Sequence, residues 1–335
     1  MSQNAIRQIL SYASRSQADS FSIESGPAEL ACFYHLPDGS RQSFRLPGHL
    51  SDSLADDLRQ LLDIAPGELA KDKYCKLNRR GQSLAFRVSI LPGKHGERIV
   101  ISVAKKDPLP LRLKPLGLNQ RELSLVSGLK RGGGLALFAS PDNQGKTATL
   151  LAALNEINDP KCSFVCFGDP SEAKLDNISC LRFSPSAWRQ ALRSDCDVIA
   201  WDGIKTDAEL EEAILAASSQ RLILGTIKGG SALEVLSRIL KLPLPLSRKL
   251  EALRFIAWQE LAELKRNPAK GGRKKIGLFE ILEIDQSLRH FIWQAAAETD
   301  KSRFWSDCLA LASSCGFVPV ARDRQAKIAA KIIKG

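Results

Sequence analysis

The stretch SPDNQGKTATL, residues 140–150, holds a lysine and a hydroxyl residue at the spacing that grips phosphate. In the template G-x-x-x-x-G-K-[ST], loop amides and the start of the following helix meet phosphate oxygens, the lysine neutralises the outer phosphates and the hydroxyl ligates magnesium. Gly145, Lys146 and Thr147 fill the last three places, and Ser140 takes the first glycine position. Gln144 and Ala148 flank them and would add amide contacts. The lead departs from the template: Pro141 stiffens it, Asp142 brings a carboxylate toward a polyanion, and Asn143 keeps access to the left-handed conformation. A Gly-Lys-Thr triplet is common, so it carries weight only between a strand and a helix.

That context is present. GLALFAS reads as a buried strand and KTATLLAALNEI as the helix after it. From Asn119 onward the compact apolar runs CSFVCFGD, CDVIAWDG and RLILGTI alternate with helical patterns such as DAELEEAILAAS. This is the signature of an α/β fold whose mainly parallel sheet is covered on both faces. After Ser231 the chain reads as mainly helical, with one more strand near KIGLFEIL. The first third reads as a helix over 3–15, short alternating strands in SFSIES, ELACFYHL and RQSFRL, a helix over 53–62, and two strands around the turn PGKHG. Three prolines in KDPLPLRLKPLGL disfavour helix and central strand there. The expected division is an N-terminal α+β domain over 1–105, a linker over 106–118, an α/β core over 119–230 and a mainly helical region over 231–335.

A formal charge of +11 favours anionic partners. The basic stretch LKRNPAKGGRKK and the tail ARDRQAKIAAKIIKG have no interleaved aromatics to stack bases, so direct nucleic-acid binding is not expected. In the tail, Lys327, Lys331 and Lys334 stand beside Ile328, Ile332 and Ile333, a pattern that fits either lipid or partner docking or packing on the C-terminal helices. The eight cysteines do not form a secreted disulfide framework, and Cys162 and Cys166 read as two positions on a buried strand. No apolar run is long enough to span a bilayer, and a cytoplasmic location is expected.

Taken in order, the motifs resemble the secretion ATPase superfamily, in particular the type II secretion and type IV pilus assembly (extension) ATPases. FRVSILPGKHGERIVISV resembles that family's arginine-bearing strand pair, GDPSE its aspartate box, WRQALRSDCDVIAWDGIKTD the segment entering its Walker B strand, RLILGTIKGG its histidine box, and RKKIGLFEIL the end of its core. The resemblance implies a RecA-like P-loop core and ATP with Mg2+ as ligands, with Thr147 on the metal and Asp169 near it. It further implies a homo-hexamer or a mixed ring with an active paralogue, docked peripherally on an inner-membrane platform protein that assembles pilin or pseudopilin. Arg87 and Arg98 would be fingers on the terminal phosphate or else solvated sheet-face charges. Arg189 and Arg193 would sense nucleotide at a subunit junction or else pair with Asp195 and Asp197.

The departures fall on chemistry. Gly168 replaces the first acid of the aspartate box, Gly203 takes the place of the Walker B glutamate, Lys228 replaces the histidine-box histidine, and the four-cysteine zinc module is missing. Asp202 and Glu172 are the remaining candidate catalytic acids. Asp202 lies one residue early, which on a regular strand turns it to the opposite face; it reads either as a displaced carboxylate reached through irregularity at the strand end or, the first reading, as a cap on the following turn. Impaired hydrolysis is therefore expected. A non-catalytic paralogue acting as scaffold or regulator is the alternative, and a nucleic-acid motor with a related core is a weaker one.

Overall fold

The computed structural model describes residues 20–25, 29–35, 40–47, 59–60, 73–79, 82–93, 96–104, 112–168, 175, 177–217, 220–265, 275–297 and 303–334. The chain divides into two units, Met1–Pro108 and Leu109–Gly335.

The first unit is built on an antiparallel sheet of six strands: β1 (Ser20–Ser25), β2 (Glu29–His35), β3 (Arg41–Pro47), β4 (Lys73–Arg79), β5 (Gln82–Gly93) and β6 (Gly96–Ala104). Their order is β3-β2-β1-β6-β5-β4. Alternation explains the inner face: Phe21, Ile23, Cys32, Tyr34, Val88, Ile90, Ile99 and Ile101 are buried. The edge strand β4, KYCKLNR, is absent from the sequence reading because basic residues interrupt its apolar positions, a common device on sheet edges. The helix expected over 3–15 lies outside the described residues, and of the one over 53–62 only Arg59 and Gln60 are described, as helix.

The second unit holds a seven-stranded sheet in the order β13-β12-β7-β11-β10-β8-β9. Its members are β7 (Gly134–Ser140), β8 (Phe164–Phe167), β9 (Ile178–Leu181), β10 (Val198–Ile204), β11 (Leu222–Lys228), β12 (Leu253–Glu263) and β13 (Lys275–Glu283). All neighbours are parallel except β12 and β13. The helices are α1 (Gln120–Ser127), α2 (Lys146–Ile157), α3 (Pro185–Arg193), α4 (Asp207–Ala216), α5 (Ala232–Leu240), α6 (Leu246–Ala252), α7 (Gln286–Ala297), α8 (Phe304–Ser314) and α9 (Val320–Ala329).

Strand β7 is buried along its whole length because both its faces are covered. Leu135, Leu137 and Ala139 join the core formed with α3 to α8, whereas Ala136 and Phe138 join the core under α1 and α2. Each fully buried Leu or Phe stabilises by roughly 1.5–3 kcal/mol, so this strand anchors the loop that follows it.

Three sequence expectations change here. The region after Ser231 supplies two strands to the sheet where one was expected. Leu113 and Leu118 are buried in the core under α1 and α2, so the C-terminal part of the 106–118 stretch packs with the second unit. Cys162 precedes β8, and only Cys166 is on the strand, opposite Cys180 of β9.

Candidate functional site

The carboxyl ends of β7, β10 and β11 converge on one loop. Between β7 and α2 the chain turns through two left-handed residues, Asn143 at φ 59° and Gly145 at φ 85°. Asparagine tolerates this conformation and glycine adopts it freely. Gly145 is also confined: a Cβ there would lie 3.2 Å from Gln259 Nε2. As the N-cap of α2, Gly145 offers no side-chain acceptor to the first-turn amides, the arrangement that leaves them for an anion. The loop is tied to β12 from both sides. Gln259 Nε2 donates to the Gln144 carbonyl at 2.6 Å, and Leu261 N–H donates to Gln144 Oε1 at 2.8 Å.

Lys146 folds back over this loop, donating to Ser140 O (3.0 Å), Ser140 Oγ (3.2 Å) and Pro141 O (2.8 Å). Burial lowers its pKa from the ordinary lysine value, and the carboxylates of Asp142 and Asp202 partly oppose that shift. Phosphate oxygens are stronger acceptors than these carbonyls, so the ammonium is suited to exchange them for a polyanion. Ala148 follows in the first turn of α2.

Asp202 does not cap the turn after β10. That role falls to Thr206, whose hydroxyl accepts from Glu209 N–H while Glu209 Oε2 accepts from Thr206 N–H, a capping box at the start of α4. Instead the Asp202 carboxylate accepts from Thr147 Oγ1 at 2.8 Å and from Thr226 Oγ1 at 2.6 Å. The strand is irregular at this point. Trp201 pairs with Gly225 and Ile204 with Ile227, so residues 202 and 203 share one place opposite Thr226. This bulge, with Gly203 at φ 97° donating to Thr226 Oγ1, aims Asp202 at the phosphate loop. Expecting Asp202 on the far face assumed a regular strand.

Gly168 completes the environment: a Cβ on it would lie 3.2 Å from the Asp202 Cβ and 3.8 Å from Oδ2. Positions 168 and 202 thus adjoin, and a side chain at 168 would crowd the Asp202 side chain. A hydroxyl that donates to a carboxylate directs its lone pairs elsewhere, and Thr147 beside Asp202 fits a magnesium ligand held in that orientation.

The other expected site residues are placed differently. Asp169 and Glu172 lie outside the described residues. Arg87 is a β5 residue whose backbone pairs with Tyr74 and Ser102. Arg98 is exposed, directly across from Glu24 with its Nε 3.3 Å from Oε1, the sheet-face arrangement. Arg189 donates to the carbonyl of Pro185 in its own helix at 3.2 Å. Among the described residues neither Arg189 nor Arg193 pairs with Asp195 or Asp197, and Asp197 Oδ2 accepts from Ser163 N–H. The tail is packed in part: Lys327 donates to Asp323 and Gly277 O, Ile333 is buried and Lys334 pairs with Glu263, whereas Ile328, Lys331 and Ile332 are exposed.

The family model for Type II/IV secretion system protein matches residues 50–305, well over half of the chain. The chain belongs to this family. It is 29% identical over 246 residues to type II secretion system protein E of Dickeya dadantii, covering 70% of this chain and 49% of that protein. It is 31% identical over 211 residues to the type IV pilus assembly ATPase PilB of Pseudomonas aeruginosa, covering 60% and 37%. The chain therefore spans about half the length, or less, of these relatives. Among solved structures, the Legionella pneumophila ATPase DotB superposes with a TM-score of 0.74 at 18% identity, covering 99% of this chain and 93% of that one. The pilus retraction motor PilT, solved with bound ADP, superposes with a TM-score of 0.64 at 20% identity, covering 95% and 96%. The fold is that of the secretion ATPases, with an α/β RecA-like core. Among the described residues no helix is long and apolar enough to cross a membrane.

Within this secretion-family fold two site residues escaped the sequence reading. Thr226, only 1% exposed, holds Asp202, and Gln259, 2% exposed, holds the loop. Their signal was a polar residue inside an apolar strand run, LILGTI and FIAWQEL, where burial demands a hydrogen-bond partner.

Proposed function

We propose that this chain is a nucleotide-binding subunit of a secretion or pilus-assembly machine, taking ATP with Mg2+ at the loop 140–148 and hydrolysing it slowly. The observation that carries this reading is the Thr147–Asp202–Thr226 chain of hydrogen bonds, which ties the phosphate loop to the ends of β10 and β11. Lys146 and the first amides of α2 would bind phosphate, Thr147 the metal, and Asp202 would hold Thr147 and the metal's water shell. Asp169 and Glu172 are the further acids the family resemblance offers. When bound, the metal would neutralise charge developing on the transferred phosphate. What this chain lacks is a side chain at 203 to orient the attacking water.

The subunit would act in a homo-hexamer or in a mixed ring with an active paralogue, against an inner-membrane platform protein that assembles pilin or pseudopilin. Arg87, Arg98, Arg189 and Arg193 remain candidates for phosphate contact once subunits meet. A second reading, a scaffold or regulator without turnover and with or without bound nucleotide, is favoured by Gly168, Gly203 and Lys228 at positions the resemblance associates with turnover. The test is equilibrium binding of ATP with and without Mg2+. Asp202→Asn is expected to abolish most of the gain from Mg2+, about tenfold or more for a charged hydrogen bond, while leaving metal-free affinity near the parent value. Equal loss in both conditions, or none, contradicts the role given to Asp202.

A further inference from the structure

Two departures from the family pattern, Asp142 in the loop and Lys228 at the end of β11, form one contact. Lys228 pairs in parallel register with Ser140, and Gly229 N–H donates to Ser140 O at 3.3 Å, so the end of β11 is fastened beside the start of the loop. From there Lys228 Nζ reaches Asp142 Oδ2 at 2.7 Å. Both side chains are open to solvent, at 70% and 68% exposure. The Lys228 hydrogen bond is the main cause of a lowered Asp142 pKa, so the carboxylate is ionised at neutral pH. Both charges also act on Lys146, Asp142 favouring its protonated form and Lys228 opposing it. The loop and the strand end beside it thus present two cations, Lys146 and Lys228, of which Lys228 is already matched by a carboxylate.

We infer that Lys228 is a second phosphate-binding cation, masked by Asp142 in the free protein and released when a polyphosphate displaces that carboxylate. This deepens the proposed function and rests on it. An exposed ion pair is weak, because water screens it and both side chains lose freedom in forming it. A ligand with several negative charges close together can open it, whereas a singly charged anion gains little by doing so. Asp142 then sets a threshold: it repels every polyanion and withholds Lys228 until the ligand's charge outcompetes its own. Sequence alone showed the carboxylate as a liability, and the pairing converts it into a selector for highly charged phosphates.

The pairing makes a specific prediction for a double-mutant cycle read by equilibrium binding of ATP to the full chain, with Lys146→Ala as control. Asp142→Asn is expected to tighten ATP about fivefold or more, through lost repulsion and an unmasked Lys228. Lys228→Gln is expected to weaken ATP more in the Asp142→Asn background than in the parent, by about threefold, because only there is the ammonium free from the start. Unaltered melting temperatures would accompany these shifts. Simple multiplication of the two single effects, or an Asp142→Asn variant that binds ATP no better than the parent, would overturn the inference while Lys146-dependent binding persists. Binding that ignores Lys146→Ala, or no binding by parent and Asp142→Asn alike, would instead overturn the reading of this loop as a nucleotide site, and the masking with it.

Discussion

At the scale of single residues, Asp202 is the acid that meets the loop, through Thr147. Asp202 stands one position before the expected glutamate, a bulge turns it toward Thr147, and Gly168 leaves the room it fills. The same bulge determines what Gly203 can become. At φ 97° any side chain is strained, although nothing crowds the position more closely than Lys205 Cε at 4.0 Å. Gly203→Glu is therefore expected to cost about 1–3 kcal/mol of stability and to leave turnover unchanged, since in this bulge it is Asp202, and not residue 203, that is aimed at Thr147. Urea unfolding midpoints beside steady-state rates check this. A Gly203→Glu protein of parental stability and raised turnover would mean that the strand relaxes to a regular register. Sequence could name Asp202, Gly203 and an irregular strand end as one of two alternatives, but could not choose it over a turn cap, because a one-residue excess on one strand becomes visible only against its partner, here Thr226.

At the scale of elements, the site depends on how the ends of β11, β12 and β13 are held. Trp258 of β12 donates its Nε1–H to Gly229 O at 2.8 Å, fixing the chain just past Lys228. On β13, the buried carboxylate of Glu280 accepts from Ala232 N–H at the start of α5 (2.9 Å) and from Val320 N–H at the start of α9 (3.2 Å). One anion thereby serves two helix N-termini, which favour negative charge and have amides to satisfy. Glu280→Ala should strand both amides and lower unfolding free energy by about 2–4 kcal/mol, read from the urea midpoint at unchanged m value. A loss under about 0.5 kcal/mol would show that water replaces the carboxylate without penalty.

The elements legible in sequence were those with a clear apolar pattern: β7, β8, β10 and β11 as buried parallel strands, β13, the alternating strands β1, β2, β3, β5 and β6, and α2 and α4 as helices. Strand β12 was not. LRFIAWQELAE follows α6 without a break and is rich in Leu, Ala and Glu, which favour helix locally. Pairing with β7 on one side and β13 on the other overrides that preference. Missing β12 also meant missing Gln259, and with it the strap on the phosphate loop.

At the scale of the whole molecule, an antiparallel unit and a RecA-like unit are joined in a chain of formal charge +11. The basic tail was one candidate for bringing this charge to a membrane or partner. Lys327 and Ile333 pack on the second unit, with Lys327 between Asp323 and Gly277 O, whereas Ile328 and Ile332 stay exposed beside Lys331, so one face of the tail is packed and the other is open. If Lys146 binds phosphate and Thr147, held by Asp202, binds magnesium as proposed, a site with no side chain at 203 should bind ATP far better than it turns it over. Enzymes commonly run near 10 per second, and loss of a water-orienting group costs on the order of a hundredfold, so the expected rate is about 0.1 per second or below. Steady-state hydrolysis at saturating Mg2+ and ATP, on protein whose binding has been measured beside Lys146→Ala, tests this most directly. Lys146-dependent binding with turnover at or below about 0.1 per second is expected, whereas Lys146-dependent turnover near 10 per second would overturn the slow-hydrolysis reading.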